Sequence, residues 1–176
     1  MRILITTGMP GAGKEEFLNV ARSMDIPFIR MGDVVRDYYV TSGAEAEGLS
    51  VGEMANRERK LHGMNVWAER SIERMSGDMF LVDGCRGMDE VRSFRELSDD
   101  VLVIGIHAPR RTRYDRLVRR GREDAPHSVA EFDERDNREM GWGLSQVIAL
   151  SDIMIVNDSS LESYYGNVRE VLEGLR

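Results

Sequence analysis

Gly8-Met9-Pro10-Gly11-Ala12-Gly13-Lys14, entered by the apolar run Arg2-Ile3-Leu4-Ile5-Thr6-Thr7 and left by the helical pattern Glu16–Met24, decides the reading of this chain. Four spacers separate Gly8 from Gly13 and a lysine follows. That is the spacing of a phosphate-binding P-loop, in which glycine-rich backbone curls its N–H groups around a phosphate at the N-terminus of a helix. Lys14 is one of two lysines, with Lys60, among 24 basic residues. A compact ammonium suits the bridge between β- and γ-phosphate oxygens better than a planar guanidinium does. An ordinary glycine turn would need the strand, the helix and the lysine to coincide by accident. Gly8, Met9, Pro10, Gly11, Ala12, Gly13, Lys14 and Glu15 are therefore the expected nucleotide contacts. Glu15 stands where the motif has a Ser or Thr for Mg²⁺; a carboxylate is a harder, charged ligand that can take that duty, at the cost of repulsion with a triphosphate.

The chain has 176 residues and a formal net charge of -7. The length fits one α/β domain with a full hydrophobic core. The charge argues against nucleic acid and anionic membranes as partners, since both require a basic field. Arginines nonetheless cluster at 110–122, so small anionic molecules remain natural ligands. The single cysteine, Cys85, excludes an internal disulfide and a zinc cage and fits a reducing cytoplasm. The first residues read as a buried strand, so neither a signal peptide nor a membrane anchor is expected.

Four more apolar runs read as strands: 27–31, 79–82, 101–106 and 153–156. The run Met79–Val82 is continuously apolar, as in a parallel sheet covered on both faces, and ends in Asp83, where a Walker-B type carboxylate would order Mg²⁺ or its water. Asp33 reads as the N-cap of a helix over 34–40, with Arg36 on the same face one turn on. Residues 41–48 form a small-residue, acidic connector, the segment of the first half expected to be mobile. Ser50-Val51-Gly52-Glu53 and Ser128-Val129-Ala130-Glu131 are capping boxes, and Asn65 reads as the cap of a third helix. The segment 110–120 carries six arginines against one acid, Asp115, which favours a face turned toward an anion over a solvated one. Strands alternating with helices behind such a loop imply a three-layer α/β fold: a five-stranded parallel sheet with helices on both faces.

Local motifs add a resemblance. Met31-Gly32-Asp33-Val34-Val35-Arg36 resembles the G-D-x-x-R of adenylate kinases. Val82-Asp83-Gly84-Cys85-Arg86 is similar to their D-G-x-P-R with the proline missing, so that Arg86 sits one residue early. Arg116–Arg120 resembles the R-x-x-x-R that opens their lid, here very short, and Arg122-Glu123-Asp124 its R-x-D. Ser151–Asp158 instead resembles the A-D-x-V-I-x-N of dephospho-coenzyme A kinases. The whole chain looks like an archaeal family of P-loop proteins similar to these two kinases. The resemblance implies a nucleoside-monophosphate-kinase-like single domain over 1–176, with an acceptor-binding helical segment at 33–76 and a lid at about 110–128. It implies an ATP- and Mg²⁺-dependent kinase for a nucleotide or nucleotide-like acceptor, either a nucleoside monophosphate or dephospho-coenzyme A. Lys14, Asp33, Arg86 and Arg120 would be catalytic. Asp33, Arg36, Arg86 and Arg122 would hold the acceptor, Glu15 and Asp83 the metal. Arg116 would join the ATP site, and Asn157, Asp158 and Ser159 would border its adenine. The alternative reading is a nucleotide-binding switch or slow ATPase acting through a protein partner.

Overall fold

The computed structural model describes residues 1–121 and 125–176. Among them run β1 (Arg2–Thr7), α1 (Lys14–Ser23), β2 (Phe28–Arg30), α2 (Met31–Thr41), α3 (Val51–His62), α4 (Val66–Ile72) and β3 (Met79–Asp83). Then follow α5 (Met88–Leu97), β4 (Val101–His107), α6 (Arg110–Arg120), α7 (Val129–Gly141), α8 (Leu144–Ala149), β5 (Ile153–Val156) and α9 (Leu161–Gly174). All strand pairs are parallel, in the order β2-β3-β1-β4-β5. This is the five-stranded parallel sheet, helix-covered on both faces, that the sequence implies.

Alternation along β1 builds the two cores. Ile3 and Ile5 join Phe80, Val82 and Val103 against Trp67, Met54 and Phe94 on one face. Leu4 joins Leu81, Ile104 and Ile155 against Phe17, Leu18, Tyr164 and Val168 on the other. Every one of these side chains is almost fully buried, which is why the strands read as unbroken apolar runs. The central place of β1 also sets the site. Its neighbours lie on opposite sides, so the chain reverses its direction of travel across the sheet there, and the crevice beyond the strand ends opens at that switch point. Register then brings Thr6 opposite Asp83 and Thr7 opposite Gly105.

Several local expectations change. The cap of α2 is Arg30, and Asp33 lies inside the first turn, ion-paired to Arg36, because the helix begins directly at the end of β2. The small-residue connector 41–48 is anchored: Ala44 is fully buried and Leu49 N–H donates to Ala44 C=O. Ser50 and Glu53 make both bonds of a capping box. Ser128 accepts from Glu131 N–H, but the Glu131 carboxylate reaches back to His127 N–H instead. Asn65 sits at the cap position of α4 yet donates its amide to Glu69 and Ser93. Helices α5 and α8 carry no expectation from the sequence.

The arginines of α6 divide. Arg110 pairs with Asp133 and Arg113 with Asp136, both acids coming from α7. The acids absent from α6 itself are therefore supplied by its neighbour, and these two arginines face a helix rather than a ligand. The Arg113–Asp136 pair is bidentate at 2.9 and 2.6 Å and buried, and Arg113 also donates to Pro10 C=O at 3.1 Å. Asp136→Asn leaves a buried guanidinium without its counter-charge, so urea denaturation should show a loss of about 3–5 kcal/mol. A loss below about 1 kcal/mol would mean the pair contributes little to the fold.

Candidate active site

The P-loop is shaped by glycines where nothing else fits. Gly11 has φ +80°, and a Cβ there would stand 2.8 Å from Arg113 C=O; Gly13 has φ +114°, and a Cβ there would collide with the Asn157 amide. The loop's outward carbonyls are bound from behind. Arg113 donates to Pro10, Asn157 Nδ2 to Ala12 at 2.9 Å, and Tyr164 Oη to Gly13 at 3.1 Å. The backbone N–H groups of Gly11, Gly13 and Lys14 donate to no protein acceptor among the described residues. Lys14 folds back so that Nζ donates to Gly8 C=O at 2.6 Å. Desolvation lowers its pKa, while Asp83 and Glu139 pull the other way. This donor set fits a phosphate: amides at a helix N-terminus and an ammonium short of counter-charge.

A cleft of about 710 Å³ opens over the loop, large enough for a nucleotide. Lys14, Glu15, Asp83, Arg86, Arg116, Arg119, Arg120, Arg135, Glu139 and Asn157 reach it. Asp83 Oδ1 accepts from Thr6 Oγ1 at 3.0 Å, a consequence of the β1–β3 register. Burial pushes the Asp83 carboxyl above its ordinary range, with Lys14 opposing. Glu15 Oε1 accepts from Arg30 Nη2 at 2.5 Å. Arg116 Nη2 donates to Asn157 Oδ1 at 3.0 Å, while its buried Nη1 has no hydrogen-bond partner among the described residues. Two carboxylates on one wall suit Mg²⁺, which takes one or two protein carboxylates and fills its shell with phosphate oxygens and water. No cluster of three metal-ligating side chains occurs among the described residues.

A second cleft, about 870 Å³, lies between α2, α3 and α7 and adjoins the first. Arg36, Arg59, Arg86 and Arg138 line it, with Trp142. Three residues belong to both clefts: Arg86, Arg135 and Glu139. Arg86 Nε pairs with Glu139 Oε2 at 2.9 Å. Arg59 is buried, beside Glu90 at 3.9 Å and over the Trp142 ring. Glu90 in turn accepts from the Arg86 and Gly87 amides, fixing the loop after β3. Burial raises the Cys85 thiol well above its ordinary pKa, which leaves it inert filler, as its neighbours in sequence imply.

The structure thus brings Gly8, Pro10, Gly11, Gly13, Lys14, Glu15, Asp83, Arg86, Arg116, Arg120 and Asn157 to one cleft, and Arg36 to the adjoining one. Met9 and Ala12 belong to the loop without lining the cleft, and neither cleft is lined by Asp33. Asp158 and Ser159 are exposed beyond β5, outside the lining; the buried Asn157 side chain braces the P-loop. Arg122 lies outside the described residues. Arg59, Arg135, Glu139 and Trp142 are site residues that sequence reasoning misses. Only their proximity to Arg86 reveals them.

Residues 7–133 match the family model described as an AAA domain, and the chain is a member of that family. Over 171 residues it is 43% identical to a UPF0200 protein of Thermoplasma volcanium, covering 97% of this chain and 96% of that one. It is 42% identical to a UPF0200 protein of Hyperthermus butylicus, covering 98% and 94%. The chain belongs to the UPF0200 family. In structure it is similar to shikimate kinase from Bacteroides thetaiotaomicron, with TM-score 0.65, 15% identity and 98% of each chain covered. Shikimate kinase from Aquifex aeolicus gives TM-score 0.54 at 15% identity over 98% of this chain and 97% of that one. At that identity the likeness shows the fold alone, which is the P-loop kinase-like fold. No described helix is long and apolar enough to cross a membrane.

Asp83 makes the candidate site testable by pH. Because folding raises its pKa, its contribution to stability is complete below the ordinary carboxylate range and is lost as pH rises through the raised value. Burial therefore disfavours the ionised form. Asp83→Asn should raise Tm by about 2–4 °C at pH 7, and the difference should fade toward about pH 3.5. A lower Tm at pH 7 would contradict this.

Proposed function

We propose that the protein is an ATP-dependent small-molecule kinase that passes the γ-phosphoryl group to a nucleotide-like acceptor bearing a phosphate. The observation that carries the reading is the meeting of two arginine-lined clefts at Arg86, one over the P-loop and one under α2 and α3. Phosphoryl transfer needs positioning and neutralisation of charge more than covalent chemistry, and the arginines at the junction of the two clefts can provide both. The P-loop amides and Lys14 hold the donor phosphates. Arg116, with its unpartnered buried Nη1, and Arg120 approach from α6. Asp83 and Glu15 would hold Mg²⁺, whose chemistry is to neutralise phosphate oxygens. Arg36 and Arg86 receive the acceptor's phosphate.

The choice of a phosphate over a hydroxyl acceptor is supported by Asp33. A hydroxyl must lose a proton and benefits from a carboxylate within reach. The Asp33 carboxylate is instead paired with Arg36 on an exposed face of α2. Arg86→Ala should therefore lower kcat by roughly 10²–10³-fold, whereas Asp33→Asn, which retains a polar side chain in the first turn, should lower it less than about tenfold. The reverse order would favour a hydroxyl acceptor such as dephospho-coenzyme A. Melting curves with MgATP, the four common nucleoside monophosphates and dephospho-coenzyme A identify the pair of ligands. A rise with ATP and with a monophosphate fits the proposal; a rise with ATP alone would point to a nucleotide-dependent switch acting through a protein.

A further inference from the structure

In the last turn of α7, Glu139 is buried between the two clefts, and no sequence motif marks it. It is the one carboxylate among the described residues that lines both clefts. Its Oε2 lies 2.9 Å from Arg86 Nε, and its charge is felt at Lys14 and at Arg59. One turn further on, the Trp142 ring lies 5.1 Å from the Arg86 guanidinium. The Arg86 side chain is thus flanked by a carboxylate, ion-paired at Nε, and by an indole ring. Among the described residues neither Nη donates to a protein acceptor. The backbone fits as closely: a Cβ on Gly87 would stand 3.2 Å from Trp142 C=O.

Three residues before Glu139 on the same helix, Asp136 holds Arg113, which holds Pro10 C=O in the P-loop. One helix therefore fixes both the donor cradle and the arginine at the junction. We infer that Glu139 is a positioning residue for phosphoryl transfer, orienting the Arg86 guanidinium so that its two Nη groups face the phosphate to be transferred, at a separation from the P-loop that α7 sets. A guanidinium loses less freedom per bond when one edge is already held, and transfer is sensitive to misplacement of about 1 Å. Glu139 acts through Arg86 and touches no reacting atom in this role. The inference rests on the kinase reading of the two clefts.

The experiment uses the full chain with MgATP and the four common nucleoside monophosphates, with the nucleoside diphosphate formed from a monophosphate as readout of turnover, in wild type, Lys14→Ala, Glu139→Gln, Glu139→Asp, Arg86→Ala and the double variant Arg86→Ala/Glu139→Gln. Glu139→Gln should lower kcat at least tenfold with KM for ATP changed less than about threefold, because positioning acts on the transition state. Glu139→Asp, which keeps the charge, should recover part of the loss. The double variant should be no slower than Arg86→Ala, since residues that act as a unit are not additive. The double variant also removes both charges together, so its melting temperature separates lost folding from lost positioning. An additive loss, a loss confined to KM, or wild-type kcat in Glu139→Gln would overturn the inference while Lys14→Ala still abolishes turnover. Turnover that survives Lys14→Ala would overturn the kinase reading itself, and this inference with it.

Discussion

The constraint on which the rest of the structure depends is the P-loop turned inside out, with its carbonyls bound by protein so that its amides are left for a ligand. Three distant elements supply those bonds. Arg113 of α6, Asn157 at the end of β5 and Tyr164 of α9 take the carbonyls of Pro10, Ala12 and Gly13. Buried backbone groups are almost always paired, so each of these carbonyls needs its partner and each partner needs its own element in place. The loop's positive-φ glycines make the conformation possible, and its outer braces make it the one adopted.

From that loop the site is assembled by strand register and by one helix. β1 places Lys14 at the head of α1, and β3, paired beside it, delivers Asp83 and then Arg86. On the far side β4 leads into α6, whose last turns carry Arg116, Arg119 and Arg120 to the cleft. α7 closes the arrangement, pairing with α6 through Asp133 and Asp136 and with the loop after β3 through Glu139. Charges of both signs interlock there, which keeps several arginines oriented without neutralising the cleft. The cost is visible at Asp83, whose carboxyl burial pushes above its ordinary range beside Lys14, and sites of this kind are where stability is traded for activity.

How much of this was legible in the sequence follows from how local each signal is. The P-loop, the five strands and the Ser50–Glu53 cap lie within short windows, so spacing and periodicity reveal them. Asp33 reads as a cap only if a gap separates strand and helix, whereas α2 starts at Met31 directly after β2. α5 carries no local start signal because its N-cap is Gly87, with Glu90 reaching back to the Arg86 and Gly87 amides, a cap without the usual Ser or Thr signature. Counting acids on 110–120 alone made Arg110 and Arg113 look free to bind an anion, yet each partner lies 23 residues further on. Glu139, Arg59 and Trp142 meet Arg86 only through tertiary packing, so no pattern along the chain marks them.

The account stands or falls on whether phosphate moves between the two clefts. ³¹P NMR of the protein with MgATP and each nucleoside monophosphate in turn follows donor and acceptor phosphorus together. The account predicts that, for at least one monophosphate, ATP γ-phosphate is lost as a new acceptor β-phosphate resonance grows at the same rate, with no matching inorganic phosphate. Release of inorganic phosphate at an equal rate in every mixture, with no acceptor signal, would contradict it.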